Sequence, residues 1–327
     1  MVEPVPDVSV VIVNWNTRPL LADCLASLPP AAGPLHLETW VVDNGSTDGS
    51  QAMVTQRFPE VHLIANEWNQ GFAAANNQAL RQARGRFFLL LNSDARPEPG
   101  AIERLVQTLE DRPDIGIAAA QLLNADGSLQ NSAAAGPSLA TELLNKSLLR
   151  RLNPRRYATR FPPQAEPVEV ESVIGACLMA RAAMVERIGL LDEGFFFFLE
   201  ETDWCRRARQ AGWKVVCEPR ARVFHLQGGS AGAVRAEARI EYWISRRRFF
   251  RKHHGRAACT FLNTGLLLRL GCNLAANTLA GLVYPRARCK ARVSARLLRW
   301  YLAGAPATGW GLQPTPAEIP AHDPGAP

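Results

Sequence analysis

Three carboxylates, Glu200, Glu201 and Asp203, stand within four residues of one another, and a single histidine, His225, follows 24 residues after Glu201. Acids at the mouth of an apparent helix, with a histidine beyond the next strand, give the layout of a general base beside a metal ligand. The same acids would also suit an ordinary surface helix, because negative charge is favoured at the positive end of the helix dipole. Two other polar clusters bear on the choice. VVDNGSTDGS (41–50) places Asp43 where a carboxylate can accept from a ribose hydroxyl or a base imide. Asn92, Ser93 and Asp94 follow the apolar run FFLLL (87–91), where a carboxylate can hold a divalent cation that bridges a diphosphate. Mg²⁺ takes only one or two carboxylates when phosphate oxygens complete its shell. Each cluster alone also fits a turn, since Asp, Asn, Gly and Ser dominate turns.

The elements that must carry these clusters are legible. VSVVIV (8–13) is a β-branched run followed by Asn14, Trp15 and Asn16, and predicts a buried strand. Leu20, Leu21, Cys24, Leu25 and Leu28 share one helical face. Strands are expected at 37–42, about 61–65, 87–91 and 115–120, with helices at about 72–84 and 98–110 between them. Asn124–Gly127 reads as a hairpin turn. Residues 141–167, rich in Arg and Pro, read as a surface excursion. The chain then returns to the core at 172–180, with helices at about 181–188 and 203–211 and a strand at 213–217. The alternation predicts an α/β fold with a parallel, doubly wound sheet. The polar clusters at 14–16, 43–48 and 92–94 each follow a strand, and such sheets bind ligands at the carboxyl ends of their strands. Neither GxGxxG nor a Walker sequence occurs.

Taken in order, VSVVIVNWN, VVDNGSTDGS, NQGFAAANNQAL (69–80), FFLLLNSDA and GACLMARAAMVERIGLLDEGFFFFLEETDWCRRARQAGWKV with its later histidine resemble an inverting nucleotide-sugar glycosyltransferase of family 2, in the bacterial rhamnosyltransferase-like branch. The resemblance covers about residues 7–256. It implies the GT-A fold, a mixed doubly wound sheet, here with a C-terminal helical appendage. It implies that Asp43 contacts the nucleotide with Asn14 and Asn16 beside it, and that Asn69, Gly71 and Phe72 line the donor pocket. Asp94 takes the metal position of the family's DxD-like motif, whose first acid is here Asn92. His225 matches a second ligand for Mg²⁺ or Mn²⁺. Glu201 matches the base, one methylene longer than the usual Asp, and Asp203 would orient the acceptor or support the base. Trp204 fits either the core or an acceptor platform. The implied reaction moves a sugar, L-rhamnose from dTDP-rhamnose foremost and a UDP-hexose as the alternative, onto a cell-surface glycan or lipid-linked acceptor.

Charge is unevenly placed. Residues 1–241 hold 24 Lys and Arg against 28 Asp and Glu, whereas residues 242–317 hold 13 basic residues and no acid. Such an arm suits an anionic partner. Tyr242, Trp243, Phe249 and Phe250 interleave with its charges, which points to peripheral contact with the cytoplasmic face of the inner membrane. Arg269 argues against a spanning helix at 257–283, so an in-plane amphipathic helix is expected. Nucleic-acid binding would leave the clusters of the acidic body without a purpose. A nucleotidyltransferase would want a basic Gly-rich loop where Asn14-Trp15-Asn16 stands. The seven cysteines form no CxxC pair and read as reduced, buried thiols in a cytosolic protein. The expected organisation is a catalytic domain at 1–234, a basic helical region at 235–302 and a disordered tail at 303–327.

Overall fold

Strand β1 (Val8–Asn14) is buried along almost its whole length, as its β-branched composition requires of a strand covered on both faces. In this computed structural model, which describes residues 5–226 and 235–314, the chain continues through α1 (Arg18–Ala32), β2 (Leu37–Asn44), α2 (Ser50–Arg57), β3 (His62–Asn66), α3 (Phe72–Leu80), β4 (Phe87–Asn92), β5 (Ala95–Pro97), α4 (Ala101–Asp111) and β6 (Ile115–Leu123). Short pieces follow: β7 (Ala133–Ala134), α5 (Leu139–Leu143), α6 (Lys146–Leu152), β8 (Val168–Glu169) and β9 (Ser172–Val173). Then come β10 (Cys177–Arg181), α7 (Ala182–Ile188), α8 (Glu200–Gln210), β11 (Lys214–His225), α9 (Arg235–His253), α10 (Gly255–Ala280) and α11 (Pro285–Leu302).

Among the described residues, one nine-stranded sheet has the order β3-β2-β1-β4-β10-β6-β11-β5, with β8 added beside β11. The first four strands are parallel, but β10 runs antiparallel between β4 and β6. That reversal makes the sheet mixed. It also brings the start of β10, rather than its end, to the edge where β1, β2 and β4 finish. Apolar side chains of α1 and α4 cover one sheet face, and those of α3, α7 and α8 cover the other. Each helix turns its apolar stripe to the strands, the packing by which an amphipathic helix is stabilised.

A third core joins Phe195 and Leu199 to Ile240, Trp243, Phe249 and Phe250 of α9 and to apolar residues of α10 and α11. This corrects the reading of 242–256 as a lipid-facing aromatic arm. Trp243, Phe249 and Phe250 are buried, Tyr242 packs edge-on against Phe198, and three of the cations among them, Arg246, Arg248 and Lys252, are paired with carboxylates of the body. Arg248 and Lys252 both reach Asp192 at 2.7 Å, and Arg246 reaches Glu142 at 3.0 Å. The excursion at 141–167 carries the short helices α5 and α6, and Leu139 and Leu143 pack on the third core. Residues 303–314 do not form a loose tail: Trp310 joins that core, and Gln313 Nε2 donates to Glu241 Oε1 at 3.0 Å. Residues 227–234, where the domain boundary was expected, and the tail beyond 314 lie outside the described residues. The 213–217 strand continues to His225 as β11, with its register shifted between Glu218 and Arg222. Five cysteines are buried, while Cys272 and Cys289 are exposed.

Candidate active site

The ends of β1 and β2 build one polar corner. Asn14 Nδ2 donates to Asp43 Oδ2 at 2.8 Å and to Ser46 Oγ at 3.1 Å. The Ser46 amide and Gln51 Nε2 both donate to Asp43 Oδ1 at 2.9 Å. Asp43 is therefore fully buried and holds the 43–51 turn in shape. Asn16 lies in the left-handed region at φ 53° and accepts from the Thr47 amide at 2.8 Å. Asn tolerates that conformation better than most residues. Thr17 Oγ1 sits 2.8 Å from Ser93 Oγ, which ties this corner to the loop after β4.

The 69–72 turn closes the far side. Asn69 Oδ1 accepts from Asn44 Nδ2 at 2.8 Å and from the Gly71 amide at 2.9 Å. The Phe72 amide donates to the Phe196 carbonyl at 2.6 Å, and the Phe72 ring meets Phe197 edge-on. Gly71 has φ +88°, and a Cβ there would lie 2.7 Å from the Phe196 carbonyl oxygen. Gly71→Ala is expected to destabilise the chain by about 2 kcal/mol or more, combining left-handed backbone strain with displacement of 195–198. Chemical denaturation measures it; an unchanged midpoint would show that this contact carries no constraint.

Asp94 and His225 meet at the ends of β4 and β11. His225 Nε2 lies 3.4 Å from Asp94 Oδ1 and 3.4 Å from Asn92 Nδ2. Its other nitrogen, Nδ1, is 2.9 Å from Gln130 Oε1. Gln130 Nε2 donates to the His225 carbonyl at 2.8 Å and to Asn124 Oδ1 at 2.9 Å, so its oxygen is the atom that faces the ring. Nδ1 thus donates to Gln130, and in a neutral ring Nε2 turns its lone pair to the carboxylate. Two acceptors facing each other suit a shared cation. Among the described residues no three His, Cys, Asp or Glu side chains cluster as a metal site. Two protein ligands with phosphate oxygens completing the shell are what Mg²⁺ or Mn²⁺ needs at a diphosphate. The buried Gln130 fixes the orientation of the ring and the proton on Nδ1.

Helix α8 supplies the carboxylates. Phe198 and Leu199 both have positive φ, 71° and 68°, immediately before it. Two consecutive left-handed non-glycine residues are strained. They turn the chain out of the third core so that Glu200 and Glu201 enter the helix pointing inward. Glu201 packs on Gly175, where a Cβ would come within 3.3 Å of Glu201 Cγ. The next residue, Ala176, accepts from the Asn92 amide at 3.0 Å. One short stretch before β10 therefore connects Glu201 to the Asn92–Asp94 loop and so to His225. Glu201 Oε2 is buried without a hydrogen-bond partner, and burial pushes its carboxyl above the usual carboxylate range. Glu200, also buried, is raised further by burial and by the Glu201 charge.

Asp203 has a different environment. It is fully buried, and its oxygens meet His253 Nε2 at 2.6 Å, Lys252 Nζ at 2.7 Å and Arg207 Nε at 2.8 Å. These partners outweigh its burial and hold its carboxyl well below the usual range. With both oxygens committed to cations, Asp203 has none to offer an acceptor. It clamps α8 to α9 and so positions Glu201. Trp204 is core: its ring is fully buried and its Nε1 donates to the Gly189 carbonyl at 2.9 Å.

Glu200 makes a pH prediction. Its folded pKa lies above the unfolded value of about 4.3, so the stability it lends is full below that value and lost as pH rises through the folded one. Glu200→Gln, which keeps the neutral form, is expected to raise Tm relative to wild type at pH 8 and to leave it nearly unchanged at pH 4. Each unit of elevation is worth about 1.4 kcal/mol. A Tm difference independent of pH would contradict a neutral Glu200.

Comparison with known proteins decides the family. The model of glycosyl transferase family 2 matches residues 9–188, which include Asp43, Asp94, β10 and all of β1 except Val8. The chain belongs to glycosyl transferase family 2. A relative from Mycobacterium tuberculosis, an N-acetylglucosaminyl-diphospho-decaprenol L-rhamnosyltransferase, is 30% identical over 240 residues, 68% of this chain and 77% of that one. The O-antigen biosynthesis protein RfbC of Myxococcus xanthus is 29% identical over 246 residues, 73% of this chain but 19% of that longer protein. A solved mannosyltransferase from Pyrobaculum calidifontis, in complex with GDP-Man and Mn²⁺, aligns over 92% of this chain and 87% of its own with 16% identity and a TM-score of 0.49. As a member of family 2 the chain is a glycosyltransferase, and its mixed α/β sheet is the one that the resemblance to the GT-A fold implied. Sequence reasoning gave no role to two supports: Gln130, a lone polar residue whose partner His225 lies 95 residues away, and Gly175, which has no side chain; Ser93 and Asn44 stood in the polar clusters without roles of their own.

Proposed function

We propose that this family 2 glycosyltransferase transfers L-rhamnose from dTDP-rhamnose to a hydroxyl of a lipid-linked glycan, at the cytoplasmic face of a membrane, by a single inverting displacement. The observation that carries the chemistry is the orphan oxygen of Glu201, buried and raised in proton affinity, joined through Gly175 and Ala176 to the Asp94–His225 pair. A buried carboxylate oxygen without a donor is unusual in a folded protein. An acceptor hydroxyl is the donor it lacks.

In this reading the Asp43 corner and the 69–72 turn hold the nucleotide and sugar, and Asp94 and His225 hold a divalent cation at the diphosphate. The bound cation neutralises the charge that develops on the leaving diphosphate. Glu201 Oε2 takes the hydroxyl proton as the acceptor oxygen attacks the anomeric carbon from the side opposite the diphosphate. The bond to the diphosphate oxygen breaks with its electron pair, and the configuration inverts. Asp203, through α8, keeps Glu201 in place. The rhamnose and the lipid-linked acceptor rest on the M. tuberculosis relative, whose name carries both.

The test offers the full chain dTDP-rhamnose, UDP-glucose, UDP-galactose and GDP-mannose in turn, with an N-acetylglucosaminyl-diphospho-polyprenol acceptor and Mg²⁺ or Mn²⁺. Labelled rhamnose in the lipid product is expected. Transfer only from a UDP-hexose would overturn the choice of sugar, and no transfer from any donor would overturn the acceptor.

A further inference from the structure

Helix α10 carries two apolar stripes. Cys259, Leu262, Leu266 and Leu270 are buried against α9 and α11. Phe261, Leu268, Cys272 and Leu279, spaced by seven, four and seven residues, fall on a second line along the helix and are exposed. That line runs into the turn between α10 and α11, where Leu279 is 69%, Leu282 76%, Val283 71% and Tyr284 65% exposed. Four large apolar side chains bare to water within six residues exceed the scatter of single exposed hydrophobics normal on a surface.

Charge identifies what covers them. Helix α11 starts one residue past Tyr284, and Arg286 and Lys290, four apart, are exposed on one face of its first turns. Arg292 and Arg299 continue the exposed basic series. None of these four cations has a carboxylate partner among the described residues, in contrast to Arg246, Arg248 and Lys252 of α9. No acid occurs anywhere between residues 242 and 317. Among the described residues no helix is long and apolar enough to cross a membrane.

We propose that the α10–α11 hairpin is a membrane-docking wedge: Leu279, Leu282, Val283 and Tyr284 enter the interfacial layer of an anionic bilayer while Arg286 and Lys290 contact lipid phosphates. Apolar burial and attraction to anionic headgroups act together at such a tip. The proposal deepens the lipid-linked reading above and rests on it for its purpose. It assigns the contact to a different part of the chain from the aromatic run of α9, which is packed inside.

The test is co-sedimentation of the full chain with phosphatidylglycerol-containing vesicles and with pure phosphatidylcholine vesicles, for wild type, for Leu282→Ser with Val283→Ser, and for Arg286→Glu with Lys290→Glu. Wild type is expected to partition onto the anionic vesicles, and each double variant to bind at least about tenfold more weakly. Tm and near-UV circular dichroism should not change, because these side chains are exposed. Equal binding by the variants, or equal binding to both vesicle types, would overturn the proposal. So would sedimentation velocity showing a wild-type dimer that the variants break, with no vesicle binding: the occupant would then be a second copy of this chain. Vesicle binding is read without sugar transfer, so a chain that transfers rhamnose but ignores vesicles fails this inference alone. One that binds vesicles but transfers nothing fails only the functional reading.

Discussion

Glu201→Gln is expected to lower kcat for sugar transfer by about a thousandfold, within the range that a positioned general base contributes. Donor binding should stay close to wild type, and Tm should not fall: as at Glu200, burial raises the carboxyl, so the amide is expected to match wild type at pH 4 and to exceed it at pH 8. Gln keeps the packing on Gly175 and the shape of the α8 entry but cannot take a proton. The pH profile gives an independent readout. Burial raises the Glu201 carboxyl, so the acid limb of kcat/KM should fall at a pH above the ordinary carboxylate value, because the base works only when ionised. Glu201→Asp should retain more activity than Gln, since it keeps the carboxylate, one methylene shorter. If Glu201→Gln transferred sugar at the wild-type rate, another group would be the base, and the burial of Glu201 would be structural.

The second large effect concerns the donor. Asp94→Asn and His225→Ala are each expected to abolish the gain in nucleotide-sugar affinity that Mg²⁺ or Mn²⁺ gives wild type, as read by calorimetry with and without EDTA. Gln130→Met should weaken that gain by roughly 10- to 100-fold, although Gln130 is not a ligand, because it frees the ring to turn and removes the acceptor that keeps the proton on Nδ1. This graded series separates a metal pair from a histidine that is merely buried. Wild-type donor binding unaffected by EDTA would remove the metal role from both residues while leaving the base untouched.

Much of this was legible in the chain. The β-branched run at 8–13, the apolar FFLLL run and the alternation between them gave the sheet its first four strands, and the polar residues after them appear together at its carboxyl edge. Two things were not legible. The antiparallel insertion of β10 is a pairing choice, which residue periodicity does not encode, and it is what brings Gly175 under Glu201. The other is the direction of side chains on the C-terminal helices. Aromatic and basic residues alternating along α9 read equally as a lipid-facing arm or as a core with salt bridges on its flank. Asp192, Asp203 and Glu142 decide for the second, by supplying carboxylates from elements distant in the chain. For Asp203 the chain left two roles open, orienting the acceptor or supporting the base, since a helix-start acid beside the base gives no sign of Lys252 and His253, some 50 residues away, whose contacts tie it to α9.

The central claim is that Glu201 drives one in-line displacement at the anomeric carbon. The most direct measurement is the anomeric configuration of the first-formed product, read by NMR from the one-bond carbon–hydrogen coupling at the transferred sugar. The account predicts the configuration opposite to that of the donor. A product that retains the donor's configuration would require two displacements or a front-face path, and would contradict it.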